Sequence, residues 1–199
     1  MNTLGLEELP GRRHRTAVAP RHTDPMRFAD GPTVEEAVPV AAPVQRVWAL
    51  ATDVSLPSRF SLELCSARWL DDAGLALGAR FEGCNRHLVL GEWRTVCHVT
   101  ILDPPAAFGW AVVDPDGRFG GGVADPAAPV AWWGFRLAHD GAGTRLLPGA
   151  RLGPARSGLS LALDRYPGRA EQTVASRLAE LSAGIRRTLE GVKALAEAG

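Results

Sequence analysis

The feature that most constrains this chain is a single long apolar stripe near its C-terminus. Seven large apolar residues recur at intervals of four, three, four, four, three and three positions, namely Val174, Leu178, Leu181, Ile185, Leu189, Val192 and Leu195. Such spacing places side chains on one face of an α-helix, and charged residues such as Arg177 fall mostly on the other faces. The stripe predicts an amphipathic helix over Ala170–Ala198, which more often packs on a sheet than pairs as a coiled coil.

Short segments bounded by turn residues occupy the middle of the chain. Six of them are predicted as strands: Leu64–Leu70, Ala79–His87, Glu92–Leu102, Phe108–Val113, Val130–Ala138 and Thr144–Leu152. The breaks between them are rich in Gly, Pro and Asp at roughly hairpin spacing. Strands joined in this way indicate an antiparallel meander and argue against β-α-β units.

Three further elements are predicted before the meander. The Val-rich segment Thr33–Val40 is predicted as a first strand. A short amphipathic helix follows, because four apolar residues fall at positions i, i+3, i+4 and i+7, namely Val44, Val47, Trp48 and Ala51. A second short helix is predicted over residues 56–61.

Composition and charge exclude several classes of protein. The 199 residues include 22 Lys and Arg against 22 Asp and Glu, which argues against nucleic acid or an anionic membrane as the obvious partner. No apolar run approaches the roughly 18 residues that span a membrane. The three cysteines, Cys65, Cys84 and Cys97, form no C-x-x-C pair, which favours a reduced interior over a disulfide framework or a zinc site.

The first 31 residues differ from the rest of the chain. They contain Pro10, Pro20 and Pro25, a basic cluster and few large apolar residues, so residues 1–31 are predicted as a disordered or loosely attached tail and residues 32–199 as one domain. The pair Arg12-Arg13 invites an export-signal interpretation, but no apolar core follows it. The expected location is therefore the cytoplasm.

Local motifs agree with the order of elements. They are VAAPVQRVW at 40–48, GARFEGCNR at 78–86, WRT at 93–95, WWGFRL at 132–137, GTRL at 143–146, and Arg177-x-x-x-Leu181 leading into TLEGVK at 188–193. In these motifs the chain resembles the SRPBCC (START-like) superfamily, within its polyketide cyclase/dehydrase-like bacterial branch. The resemblance implies an α+β helix-grip fold, in which a curved antiparallel sheet of about seven strands surrounds the C-terminal helix, with two short helices after the first strand. It also implies a cavity between sheet and helix, but it does not fix a function.

The aromatic residues are the best indication of a pocket. Alternation along the strands predicts a wall for a flat hydrophobic ligand. Its proposed members are Trp48, Trp69, Phe81, Trp93, Thr95, Cys97, Trp110, Trp133 and Phe135. The competing interpretation is an ordinary core, which is the more frequent one for any single residue. A strongly curved sheet around one helix is hard to fill completely, so the group as a whole favours a cavity.

Asn85 is the candidate catalytic residue. If Phe81 faces inward, alternation also places Gly83 and Asn85 inward and Glu82 outward. Asn85 would then hold a substrate carbonyl or an enolate oxygen, and the alternative is a structural amide. Further acid–base candidates are Glu63, Arg59 and Tyr166.

The sequence gives little support for a metal site, a cofactor site or a nucleophilic cysteine. No metal-ligand motif and no cofactor motif is recognisable, and Cys97 is more easily interpreted as an inert buried thiol than as a nucleophile. The segment Gly153–Gly168 is either a lid over the cavity or a helical turn packed on the core.

Two functions are compatible with these sequence features. The first is cofactor-independent cyclisation, aromatisation or dehydration of a polyketide-like or other hydrophobic aromatic metabolite, which needs a shaped cavity and one or two polar groups. The alternative is a non-catalytic carrier or sensor for a lipid or aromatic small molecule. The expected partner is a hydrophobic small molecule, and the expected state is a monomer or a homodimer.

Overall fold

The computed structural model describes residues 31–72, 74–122 and 124–199. Its strands are β1 Thr33–Glu35, β2 Val38–Val40, β3 Leu64–Trp69, β4 Arg80–His87, β5 Gly91–Asp103, β6 Ala107–Val113, β7 Ala131–Asp140 and β8 Gly143–Leu152. Its α-helices are α1 Val44–Ala51, α2 Gly158–Arg165 and α3 Ala170–Glu197, and short 3-10 helices cover Leu56–Arg59 and Pro167–Arg169. The predicted tail falls on residues 1–30, which lie outside the described residues, and on Gly31, so it stays a prediction.

All the strands belong to one antiparallel sheet in the order β1-β8-β7-β6-β5-β4-β3, with β2 also paired to β8. The six-strand meander predicted from the turn residues is confirmed, with strand ends shifted by one or two residues. The curved sheet and the long C-terminal helix confirm the α+β helix-grip prediction.

One correction concerns the first strand, which is two strands rather than one. Both β1 and β2 pair with β8 in a single register, since Glu35 lies opposite Gly149 and Val38 opposite Leu146. The break falls opposite Pro148, where the amide of Glu36 still donates to the Pro148 carbonyl at 3.0 Å. Proline has no N–H to return the second bond of the pair, so the ladder is interrupted there.

Helix α3 packs on the inner face of the sheet through the predicted stripe. Its buried residues are Val174, Leu181, Ile185, Leu189, Val192 and Ala196. Gly191 permits a close approach on the side of the 3-10 helix, because a Cβ at this position would lie 2.5 Å from the ring of Phe60. The sheet and the short helical segments therefore hold the C-terminal half of α3 from two sides.

The C-terminal end of α3 is also tied to α1. The guanidinium of Arg46 donates to the carbonyls of Ala196 at 2.6 Å and Leu195 at 2.9 Å. The last carbonyls of a helix have no partner within the helix, so a cation here satisfies them and complements the helix dipole. In the described part of the chain, no helix is both long and apolar enough to cross a membrane.

Candidate functional site

The inner face of the sheet is defined by three rows of cross-strand partners on β4 and β5. Phe81 lies opposite Cys97, Gly83 opposite Thr95, and Asn85 opposite Trp93. Directly opposed residues of an antiparallel pair point to the same face. Because Phe81 and Cys97 are buried in the core cluster, the other two rows continue the same inner face toward the β4–β5 turn.

The aromatic residues predicted as a wall pack on one another at the core end of this face. Phe81 makes edge contacts with Trp69 and Trp110 at centroid distances of 5.4 and 5.7 Å, and Trp48 contacts Phe135 at 5.9 Å. Edge-to-face pairs at these distances are favourable beyond the apolar area that they bury. Trp133 lies opposite Trp110 and is partly buried against the same cluster. Their contact with a ligand stays a prediction.

The other end of the inner face carries polar groups, and we call it the polar end: Leu64, Gly83, Asn85, Trp93 and Thr95. The Asn85 amide nitrogen donates to Thr95 Oγ1 at 3.3 Å and to the Gly83 carbonyl at 3.4 Å. Both distances exceed the usual range for N–H···O bonds, so this amide is loosely held. In residues 31–199 as described, Asn85 Oδ1 has no hydrogen-bond partner.

Gly83 forms the floor of the polar end. A Cβ built on it would lie 3.0 Å from Thr95 Oγ1 and 3.2 Å from Leu64 Cδ1. A side chain at this position would therefore occupy the space between Leu64, Thr95 and Asn85. Thr95 and Leu64 thus pack closely over Gly83, and any side chain here would require them to shift.

An ion pair joins Glu63, the residue before Leu64 of the polar end, to α3. Arg177 donates to both carboxylate oxygens of Glu63, with Nη1 and Nη2 each at 3.0 Å, and Nη1 also reaches Glu180 at 3.2 Å. Arg177 lies between Val174 and Leu181 on the buried side of α3, with 26% of its side chain exposed. Burial opposes the charged form, but the hydrogen bonds that Arg177 donates to Glu63 prevail and raise the pKa of Arg177.

Arg177 therefore lies on the buried side of α3 and not on one of its polar faces. Its spacing of three from Val174 and four from Leu181 places it on the apolar stripe. The partner Glu63 is 114 positions away in sequence, so no local pattern could have paired the two residues.

The β6–β7 connection and α2 border the polar end. Phe119, buried to 4% exposure, makes an edge contact with Trp93 at 6.1 Å. The α2 helix begins against the β4–β5 turn, since a Cβ at Gly158 would lie 2.6 Å from Leu90. The segment predicted as either a lid or a packed turn thus contains a packed helix, and its movement as a lid stays a prediction.

Two other acid–base candidates lie apart from Asn85. Tyr166 is 49% exposed and accepts a hydrogen bond from Arg165 at 3.1 Å. Arg59 lies over the ring of Phe60, with 5.7 Å from its guanidinium carbon to the ring centroid. Among the described contacts, neither residue bonds to Asn85 or Glu63.

The outer face of β4 and β5 carries charge, as the alternation requires. Glu82 pairs with Arg68 and Arg94, each at 3.0 Å, and Arg94 also pairs with Asp116 at 2.6 Å. The hydrogen bond from Arg94 is the main cause that lowers the pKa of Glu82. These charges lie outside the concave face and take no part in the candidate site.

The Cys97 thiol lies in the core. Its side chain is buried beside Phe81 and Val99. Burial raises the pKa of the Cys97 thiol well above its ordinary value, and a hydrogen bond with Thr95 opposes this only in part. Since the thiolate is the nucleophilic form, this position agrees with the interpretation of Cys97 as an inert thiol. No group of three or more His, Cys, Asp or Glu that could hold a metal ion occurs within the described ranges.

We expect a thiol reagent such as DTNB to titrate two cysteines in the native protein and the third only after unfolding. Cys65 and Cys84 are exposed, whereas Cys97 is buried and protonated. The absorbance of the released thiolate counts the groups with and without guanidinium. The Cys97→Ser variant should give the same native count as the wild type. Rapid reaction of all three thiols in the native protein would contradict this placement.

A helix-grip sheet with a concave inner face and a polar end defines the class of the protein. A family model described as "Polyketide cyclase / dehydrase and lipid transport" matches residues 31–197. The chain belongs to this family, and the resemblance inferred from the motifs is confirmed.

Solved structures share the fold at low identity. A polyketide-cyclase-like protein of Corynebacterium glutamicum is 24% identical, with a TM-score of 0.55, covering 81% of this chain and 88% of that one. The ZhuI aromatase/cyclase of Streptomyces sp. R1128 is 17% identical, with a TM-score of 0.57 and coverages of 83% and 93%. The di-domain aromatase/cyclase StfQ of the steffimycin pathway is 14% identical, with a TM-score of 0.61, and the match covers 83% of this chain and 50% of StfQ. A search of curated protein sequences finds no match.

Proposed function

We propose that the chain binds a hydrophobic, polyketide-like or aromatic metabolite at the polar end and promotes its cyclisation, aromatisation or dehydration without a cofactor. The observation that carries the proposal is the loosely held amide of Asn85, on an inner face whose other groups are mostly apolar. Two of the structural neighbours are aromatase/cyclases, which supports the same class of reaction by analogy.

The proposed chemistry needs few protein groups. A poly-β-ketone cyclises when one of its acidic methylene groups loses a proton to solvent water and the resulting enolate carbon attacks a carbonyl carbon of the same chain, whose oxygen then takes a proton from water. The attack requires the chain to be folded so that the two carbons face each other. Trp93 and Leu64 supply apolar walls for that folding. The Asn85 amide stabilises the enolate oxygen by turning its N–H groups from Thr95 and Gly83 toward the substrate, which costs little because both present bonds are long.

One observation favours a second function, that of a non-catalytic carrier or sensor. Glu63, which directly precedes the Leu64 that lies opposite Asn85, is bound by Arg177 through both of its oxygens. A carboxylate held in this way is a poor general base. On this alternative, Asn85 only orients the ligand.

Ligand binding is tested with a flat neutral probe, 2-naphthol, by quenching of tryptophan fluorescence. We expect saturable quenching at micromolar concentration, roughly −8 kcal/mol. Gly83→Ala should weaken binding about tenfold, because its methyl group would displace Thr95 and Leu64, which line the polar end.

Gly109→Ala is the matched control, since Gly109 lies on β6 and a Cβ there would contact Ile101 at 3.2 Å. Ile101 is 54% exposed, so this contact lies on the outer face. An equal effect of the two substitutions, or the absence of saturable quenching in the wild type, would contradict binding at the polar end.

A further inference from the structure

Two aliphatic side chains of the β4–β5 turn are almost fully exposed. Leu88 is 103% exposed and Val89 is 85% exposed, whereas the next residue, Leu90, packs against α2 at Gly158. Leu62, which is 78% exposed, lies at the same end of the sheet, because the amide of Arg86 donates to the carbonyl of Glu63 at 2.8 Å. We call Leu62, Leu88 and Val89 the apolar tip.

The apolar tip adjoins the polar end. Asn85 lies on β4 three residues before Leu88, which directly follows that strand, and Leu64, which lies opposite Asn85, is two residues from Leu62. Large exposed aliphatic side chains grouped at one end of a fold indicate a contact surface. A protruding turn of this kind needs no matching pocket in order to enter an apolar layer.

Arginines without a salt bridge occur in the segments next to the apolar tip, although the chain as a whole has no net charge. The segments 61–64, 86–92, 116–120 and 154–171 contain five arginines and five carboxylates, but two of the carboxylates, Glu63 and Asp116, are paired with Arg177 and Arg94 outside these segments. Arg86 pairs with Glu92 at 2.8 Å, and Arg156 pairs with Asp164. In the described part of the chain, Arg118, Arg165 and Arg169 have no salt bridge, and Glu171 is the remaining carboxylate. Arg118 donates to the carbonyl of Leu90 and so lies at the turn itself.

We propose that the apolar tip inserts into an anionic phospholipid surface, with the neighbouring arginines at the level of the headgroups. Apolar side chains buried at the interface and cations attracted to anionic lipid are the two contributions that hold peripheral proteins on membranes. The docked orientation turns the polar end toward the bilayer. The proposal goes beyond the proposed function, because docking needs no ligand in the site.

Co-sedimentation with vesicles tests the docking. The 199-residue chain is mixed with phosphatidylcholine vesicles that contain about 30% phosphatidylserine, and separately with pure phosphatidylcholine vesicles. We expect stronger binding to the anionic vesicles, and weaker binding as the salt concentration rises. The double substitution Leu88→Ser with Val89→Ser should reduce partitioning at least tenfold.

The chain offers a matched control at the opposite end of the strands. Leu77 and Ile101 are 67% and 54% exposed, and Leu77 precedes β4 whereas Leu88 follows it, a separation of about 26 Å along the strand. Leu77→Ser with Ile101→Ser should leave partitioning within about twofold of the wild type.

Three outcomes overturn the proposal: no binding of the wild type to anionic vesicles, equal losses in the two double variants, or equal binding to anionic and neutral vesicles.

Sedimentation velocity without lipid tests a different role for the apolar tip. If the wild type self-associates and the Leu88/Val89 variant does not, the apolar tip is an interface between copies of the chain and the proposal fails. Naphthol binding measured on the same variants is independent of the vesicle result, so failure of docking and failure of the polar end as a ligand site are separable.

Discussion

Replacement of Asn85 by alanine is expected to lower turnover of a poly-β-ketone thioester tenfold to a thousandfold, about 1.4–4 kcal/mol of transition-state stabilisation. Binding of 2-naphthol to the same variant should change little. An enolate oxygen gains charge in the transition state, so a donor aimed at it acts mainly on turnover. Formation of the aromatic product, followed by its absorbance, measures the effect.

Arg86→Ala is the control for this substitution. Arg86 is the next residue on β4, but its side chain pairs with Glu92 on the opposite face from Asn85. Its removal should leave turnover within about twofold of the wild type. Equal losses in the two variants would indicate damage to the strand and would contradict a role for the Asn85 amide in the reaction.

The same variant distinguishes the enzyme from the carrier. If the wild type binds the thioester without forming product, there is no turnover to lose. Asn85→Ala should then weaken ligand binding by about 1 kcal/mol, the typical net contribution of one hydrogen bond. A loss of turnover with unchanged binding supports catalysis, and the reverse pattern supports the carrier.

The positions of the strands could be predicted from the sequence because their determinants are local. Turn residues separate β3 to β8, and the alternation of side chains from Phe81 assigns Gly83 and Asn85 to the inner face. The break between β1 and β2 could not be predicted in this way. It depends on Pro148, which is distant in sequence and lies opposite Glu36 only after the sheet has formed.

The candidate site was only partly accessible to sequence reasoning for the same reason. Asn85 follows from the period of two along one strand. The pairing of Arg177 with Glu63 depends on where α3 crosses the β3 end of the sheet, and no periodicity specifies that crossing. The exposure of Leu88 and Val89 could not be predicted either. Apolar residues in a turn are usually covered by neighbouring segments, and the sequence does not show which segments lie next to this turn.

Two aromatic residues that the sequence assigns to one wall are expected to behave in opposite ways. Phe135 is 7% exposed and contacts both Trp48 and Phe108 in the core. Phe135→Ala should therefore lower the free energy of unfolding by about 3–5 kcal/mol, through lost burial and the cavity left behind. Trp93 is half-buried at the polar end and contacts Phe119. Trp93→Ala should cost about 1 kcal/mol of stability but weaken naphthol binding about tenfold.

Urea denaturation followed by circular dichroism gives the stability of both variants, and competition with a fluorescent naphthol analogue gives binding without relying on the tryptophan that is removed. The decisive comparison is which variant loses more stability and which loses more affinity for the probe: we expect Phe135→Ala to lose more stability and Trp93→Ala to lose more affinity. If Phe135→Ala leaves stability within about 1 kcal/mol of the wild type and increases the affinity for the probe, its ring borders an empty space. The cavity predicted from the sequence then extends from the polar end to the aromatic cluster around Phe135, Trp48 and Phe108.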